Sequence, residues 1–446
     1  MIQVIQLLLS LSILVILHEF GHYAAARFFG CRVEKFYLFM DWGWGSWDGK
    51  LFKKKLGETE FGVGWLPLGG YVKIAGFIDE SMDTKGVESE PESWELRSKP
   101  AWQRLIVMLG GIFVNLVLAW CIYSAVLFSW GENYMPIKNL EDGFSFNEGG
   151  ELLGFQDGDQ IITIDGVELI EYDPMFVLGS ILFDGAQTVG VIRDKEKLSL
   201  SIESSSVNSV ISNMQKYDGN LISPNYKWIV DKISATSPLK NTPLKEGCRI
   251  LALDSLETTF FTAEAKQYLI SNAGKKINIT YSDFISDTQS VSVVIPNSGL
   301  LGVEMKMGDY YENRNYSLSG SVSAGLKKTS ETVKMYWGQV KTIFNPKTGG
   351  YKHVGGFISI GQMFPNNWNW LAFWSMTAML SIILAIMNLL PIPALDGGHA
   401  LIAIIEMITG KKVPLSVLMP LQIIGMVLLM TLVIYANGMD IVRLFN

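Results

Sequence analysis

The sequence predicts a polytopic α-helical membrane protein with four transmembrane helices, a re-entrant β-loop after the first, and two small α+β domains between the second and third. Three observations predict this. Apolar residues gather in four blocks, near 4–29, 105–130, 371–395 and 415–436, each long enough for the ~20 helical residues that cross a hydrocarbon core. Charged residues make up only 18% of the chain, against about 25% in ordinary soluble domains. The stretch between the second and third blocks has soluble composition and repeats itself, with Gly158 and Gly247 at matching positions.

Residues 1–30 form the first predicted span. A cleavable signal peptide would need a basic leading region and a small-residue cleavage site; neither is present, so this segment is expected to stay as a span. Residues 31–100 form a loop rich in Lys and Arg from Arg27 to Arg104, and Lys411 and Lys412 add to the last short loop. Positive short loops mark the cytoplasmic side. Both termini and the long 131–370 segment are therefore expected outside. Within the loop, Lys50 to Glu60 alternates like a strand, and Phe61 to Ile74 is apolar yet rich in Gly and Pro, which forbid a regular helix. Such backbone at membrane depth needs protein or a water-filled cavity to satisfy it. The stretch reads as a re-entrant β-hairpin dipping toward the site, with a plain cytoplasmic hairpin as the alternative.

The second span, 101–130, has no charged residue from 105 onward. Two repeated domains follow, at 131–222 and 223–310. Gly154-Phe155-Gln156-Asp157-Gly158-Asp159 leads into the strand-like Gln160–Glu168, and Pro243–Cys248 leads likewise into Arg249–Glu257. The pattern of a Gly turn opening into an alternating strand that ends in Asp resembles the PDZ domain, although Cys248 stands where the first copy has Asp159. PDZ domains bind peptides by adding a strand to a sheet edge. Residues 311–370 are a juxtamembrane region in which Val322, Leu326, Val333, Trp337, Val340 and Phe344 share one helical face. That helix would lie on the outer membrane surface or pack on the repeat domains. The third span covers 371–396, a cytoplasmic loop 397–414, and the fourth span and tail 415–446. Cys31, Cys121 and Cys248 fall in different compartments by this topology and have no metal-ligand spacing, so they read as small apolar fillers. No basic run points to nucleic acid.

The chemistry sits in His18-Glu19-Phe20-Gly21-His22. Positions i and i+4 share a helix face, so His18 and His22 can ligate one metal, with Glu19 beside them to take a proton from the attacking water. Within an apolar span each ionisable residue costs about 2.5 kcal/mol or more by insertion scales, which a merely structural cluster explains poorly. A catalytic zinc takes three protein ligands and keeps one position open. Asp396, the sole acidic residue between Gly355 and Glu406, is the candidate third ligand, aimed sideways by Pro391, Pro393 and the Gly397-Gly398 turn; His399 is its rival.

Together, His18–His22 and the later Asn388-Leu389-Leu390-Pro391-Ile392-Pro393-Ala394-Leu395-Asp396-Gly397-Gly398 resemble the site-2 protease family of intramembrane zinc metalloproteases. The repeated pair of domains resembles its bacterial RseP-type branch. The resemblance extends to the Pro67–Lys73 loop and to Gly110–Asn115, where members often carry Gly-Pro in place of Gly110-Gly111. It implies one Zn2+ per chain on His18, His22 and Asp396, Glu19 as catalytic base, and Asn388 near the substrate backbone. An edge of the 50–75 loop, at Gly69, Gly70 and Tyr71, would hold the opened substrate strand. The implied substrates are single-span membrane proteins already trimmed outside, such as an anti-sigma factor, and remnant signal peptides, met in the lipid bilayer. Two other classes compete: a zinc transporter, which has no use for Glu19, and a catalytically dead receptor, which would usually have lost a ligand or the base.

Overall fold

The apolar block at the start of the chain becomes one unbroken helix, α1 (Ile2–Phe28), the first feature of a computed structural model that describes residues 1–43, 48–67, 69–77, 90–217, 221–283, 288–344 and 354–445. The chain divides into two compact units, one built from 1–131 and 315–446 and the other from 132–314.

After α1 come four strands, β1 (Val33–Leu38), β2 (Lys50–Leu56), β3 (Thr59–Gly64) and β4 (Tyr71–Ile74). They form one sheet in the order β2-β3-β1-β4, with β1 and β3 parallel. The predicted β-loop, 50–74, therefore covers three of the four strands, and β1 lies in a stretch that reads as plain loop; Leu68 lies outside the described residues. Alternate apolar side chains of the sheet lean on the last turns of α1. The Tyr23 ring meets Phe36 and Phe61 edge-on at 5.8 and 5.9 Å. Helix α2 (Ala101–Trp130) starts after Pro100, which lacks the N–H a helix interior needs, and stops at Gly131 with φ +69°.

The second unit opens with β5 (Glu132–Tyr134), β6 (Phe144–Phe146) and α3 (Glu148–Leu152). The first repeat continues as β7 (Gln160–Ile164), β8 (Val167–Glu168), α4 (Pro174–Leu182), β9 (Thr188–Arg193), β10 (Glu196–Ser201), α5 (Ser204–Ser212) and β11 (Ile222–Pro224). The second runs β12 (Val230–Ile233), β13 (Arg249–Leu253), β14 (Leu256–Glu257), α6 (Ala263–Ser271), β15 (Lys276–Ser282), β16 (Thr288–Val294) and β17 (Val303–Met305), and β18 (Glu312–Arg314) closes the unit. The sheets β8-β7-β9-β10 and β14-β13-β15-β16 share one topology, and in each copy an outer pair is added, β6 with β11 and β12 with β17. Gly158 and Gly247 both sit at φ +91°, and Asp165 and Asp254 both take a left-handed turn. The repeat read from the sequence is thus a repeat of fold. Each copy has its own core, around Phe144, Phe155, Ile161 and Val189 in the first and Trp228, Leu244, Ile250 and Ile279 in the second.

The chain returns to the first unit through α7 (Leu318–Phe344), α8 (Phe357–Gln362), α9 (Trp370–Leu389), α10 (Asp396–Thr409) and α11 (Leu415–Phe445). Among the described residues four helices, α1, α2, α9 and α11, are long and apolar enough to cross a membrane. Two expectations need correction. Residues 397–414 are mostly helix α10 rather than loop, because the prolines end α9 at Leu389 and the glycines let a new helix start at Asp396. Helix α7 packs against α2, a partner the sequence did not suggest, and buries Ser321, Thr329 and Val340. Trp120 Nε1 donates to the Val322 carbonyl at 2.9 Å, and Gly325 backs onto Ser124. Small side chains permit that approach, whereas Val322, Leu326 and Trp337 of the predicted apolar face stay exposed. The side chain of Phe344 lies outside the described ones.

Candidate metal centre

The site begins with a close crossing of α1 and α2. A Cβ on Gly21 would overlap the Gly110 carbonyl, and one on Gly110 would strike the Gly21 carbonyl. A Cβ on Gly111 would overlap His22 Nε2 and the His18 ring. Three glycines therefore clear the space in which the two imidazoles face α2. His18 and His22 are both buried, at 7% exposure.

The third member arrives from the break between α9 and α10. The backbone doubles back over Pro391–Leu395, Ala394 adopts φ +86°, and the Ile392 amide donates to the Leu390 carbonyl at 2.7 Å. Gly397 and Gly398 slide beneath the carbonyls of Leu389, Leu390 and Ile392, where no Cβ would fit. Asp396, first residue of α10, is thereby turned inward. Its Oδ2 lies 3.2 Å from His18 Nε2 and 3.3 Å from His22 Nε2, and the two Nε2 atoms are 3.3 Å apart.

This near-equilateral triangle fits a tetrahedral ion. Bonds of about 2.0–2.1 Å at tetrahedral angles put ligand atoms about 3.3–3.4 Å apart, with a fourth position open. Asp396 Oδ2 is buried with no well-aligned hydrogen-bond donor among the described residues, and a buried carboxylate oxygen needs a positive partner. Among those residues, His18, His22 and Asp396 are the group able to hold a metal. The rival ligand His399 stays outside it, its ring edge-on to Phe77 at 4.9 Å.

Surrounding groups orient the ligands. His22 Nδ1 donates to the Val107 carbonyl at 2.8 Å, leaving the Nε2 lone pair for a metal. The Asn115 amide lies 3.1 Å from His18 Nδ1, and its Oδ1 has no partner among the described residues. Half a turn of that amide offers the oxygen to an Nδ1–H, the arrangement a metal-bound imidazole uses. Asn388 Nδ2 is 3.3 Å from His18 Nε2, so its donor group reaches the metal side of the ring. Glu19 is half-buried beside the ligands, with the Val72 amide near its carboxylate.

Of the loop residues expected here, Gly70 is brought in, 3.5 Å from the Glu19 Cγ as measured from the position a Cβ would take. The φ of +134° at Gly69 favours glycine, and a Cβ there would meet open space. The Tyr71 side chain faces elsewhere. Its hydroxyl donates to Asp41 at 2.8 Å and its ring stacks on Tyr37 at 5.5 Å. Gly111 and Asn115 lie in the stretch that the resemblance marked without a role, and the Val107 carbonyl is a participant that the sequence reading missed. A lone amide in an otherwise apolar span was the available signal for Asn115.

A model described as peptidase family M50 matches residues 6–432. The chain is similar to the regulator of sigma E protease of Haemophilus influenzae, 27% identical with 98% of each chain covered. It is 26% identical to a protein of Clostridium perfringens provisionally named a zinc metalloprotease, over 98% of this chain and 97% of that one. A similarly named protein of Campylobacter jejuni is 25% identical over 100% of this chain and 95% of its own.

Proposed function

That the chain belongs to peptidase family M50, the zinc-dependent site-2 proteases, is the premise from which we propose that it hydrolyses peptide bonds within or near the membrane span of single-span membrane proteins. In this proposal His18, His22 and Asp396 hold the zinc and Glu19 is the general base. The observation that carries it is the triangle of two imidazole nitrogens and one carboxylate oxygen, all within 3.3 Å of one another, beside Glu19 on an apolar helix long enough to span.

Zinc, when bound, would polarise the scissile carbonyl and acidify the attacking water. Glu19 takes the proton from that water and returns it to the leaving amine. Asn388 Nδ2, on the metal side of the His18 ring, donates to the oxygen on which charge develops or to the neighbouring substrate backbone. A membrane helix hides its peptide bonds in internal hydrogen bonds, so a substrate must be extended first. Strand β4 is an edge of its sheet and follows Gly69 and Gly70, beside Glu19, which supports β-pairing of the opened substrate there. Tyr71 would take part through its backbone, since its side chain is engaged with Asp41.

The duplicated domains, PDZ-like by their Gly turns, would exclude substrates whose outer domain is intact or dock a trimmed end. The name of the Haemophilus influenzae relative supports a substrate in sigma-factor control, such as a trimmed anti-sigma factor, and remnant signal peptides fit the same geometry. The basic loops support an inner membrane with the 132–314 unit outside. Glu19→Gln tests the proposal: cleavage of a single-span substrate should fall by about 10²-fold or more while one zinc per chain is retained. Unchanged cleavage would remove Glu19 from the mechanism.

A further inference from the structure

Helix α11 follows α10 after the five-residue connection 410–414 and next meets the preceding backbone at Gly425, where a Cβ would overlap the Pro393 carbonyl. Between those two points lies a cavity of about 280 Å³. Its walls are apolar, with Met108 of α2, Ile402 of α10, and Leu418 and Leu421 of α11. Its polar groups include Arg104, Glu406 and Lys412.

The charges there are not balanced. Glu406 is engaged twice, by the Arg104 guanidinium and by the Val413 amide at 2.7 Å. Arg104 Nε is buried without a partner among the described residues. Lys412 Nζ donates to the Arg97 carbonyl at 3.0 Å and has no carboxylate partner among those residues. Unmet cationic donors beside an apolar slot, next to a helix with exposed Ile424 and Val427, match an anionic head on an apolar chain. We propose that this cavity binds an anionic phospholipid, with its phosphate on Lys412 and Arg104 and an acyl chain along Leu418 and Leu421.

Full-length, zinc-loaded protein in neutral detergent is titrated with dihexanoyl-phosphatidylglycerol, dihexanoyl-phosphatidylcholine or inorganic phosphate, and occupancy is read by native mass spectrometry. The glycerol lipid should bind about five-fold tighter than the choline lipid, the contribution of one lysine near a headgroup. Lys412→Gln should erase that preference, and Leu418→Trp should weaken both lipids by filling the slot. Equal binding of the two lipids overturns the proposal, as does lipid binding indifferent to Leu418→Trp in protein that retains its zinc. Inorganic phosphate binding as tightly as the lipid would reduce the site to an anion site and overturn the acyl slot. Lys412 is exposed, so its variant keeps the test open should the tryptophan variant fail to fold.

Discussion

His18 and His22 can share an ion only because neighbouring residues withhold atoms or supply them. Gly111 withholds a Cβ that would occupy the place of the His22 Nε2. The Val107 carbonyl fixes which His22 nitrogen carries the proton. Asn115, wholly buried, does the same for His18 once its amide is turned to offer Oδ1 to the Nδ1–H. Outer-shell partners of this kind typically alter metal affinity by about 10–100-fold. Asn115→Ala should therefore weaken zinc binding by roughly that factor in a competition titration with a chelator. Wild-type affinity in the variant would leave Asn115 a packing residue only.

At the scale of elements, the two repeats differ at a telling place. Asp159 is fully buried and accepts a two-pronged contact from Arg193, 2.7 Å at each oxygen. In the second copy the positions equivalent by strand register are Cys248 and Asp283, so both partners of the pair are absent together. Removing one partner of a buried pair strands the other, at about 3 kcal/mol. Asp159→Cys should destabilise the 132–314 unit by about that much in chemical unfolding, and adding Arg193→Ser should recover most of it. A second element carries a pH response. Glu60 on β3 accepts from Tyr37 at 2.6 Å and Lys50 at 2.8 Å, which hold its carboxyl below the ordinary range. Its stabilisation is complete above the ordinary glutamate range, about 4.3, and is lost as pH falls through the lower folded-state value. Amide exchange in β3 should accelerate over that acid window, and Glu60→Gln should abolish the pH dependence.

For the molecule as a whole, the ends of the 132–314 unit are decisive. Strands β5 and β18 pair antiparallel, Glu132 with Arg314 and Tyr134 with Glu312, so the chain enters and leaves that unit side by side. Its two cores contain no residue of the helical unit. Residues 132–314 expressed alone should unfold cooperatively on heating, and a short Gly/Ser linker in their place should leave the remaining protein with one zinc. Loss of zinc in the shortened protein would tie the metal centre to the inserted unit.

Much of this was legible before any fold was known. The spans were visible because each needs a run of apolar residues that no soluble segment sustains. The repeat was visible because Gly158 and Gly247 serve the same left-handed turn. His18, Glu19, His22 and Asp396 stood out because charge in an apolar span is costly. Strand β1 was hidden, since Val33–Leu38 mixes charged and aromatic residues and is ordered by pairing with β3, a partner distant in sequence. The face of α7 was hidden because it buries Ser321 and Thr329 beside Val340 while Val322, Leu326 and Trp337 stay exposed. What the sequence by itself determined was the four long apolar helices and the candidate ligands His18, His22 and Asp396, which local composition encodes. Only the tertiary structure decided that Asp396 opens a new helix, that His399 is left out, and that Asn115 and Gly111 complete the site. Those outcomes depend on how closely three backbones approach, a distance that no local pattern records.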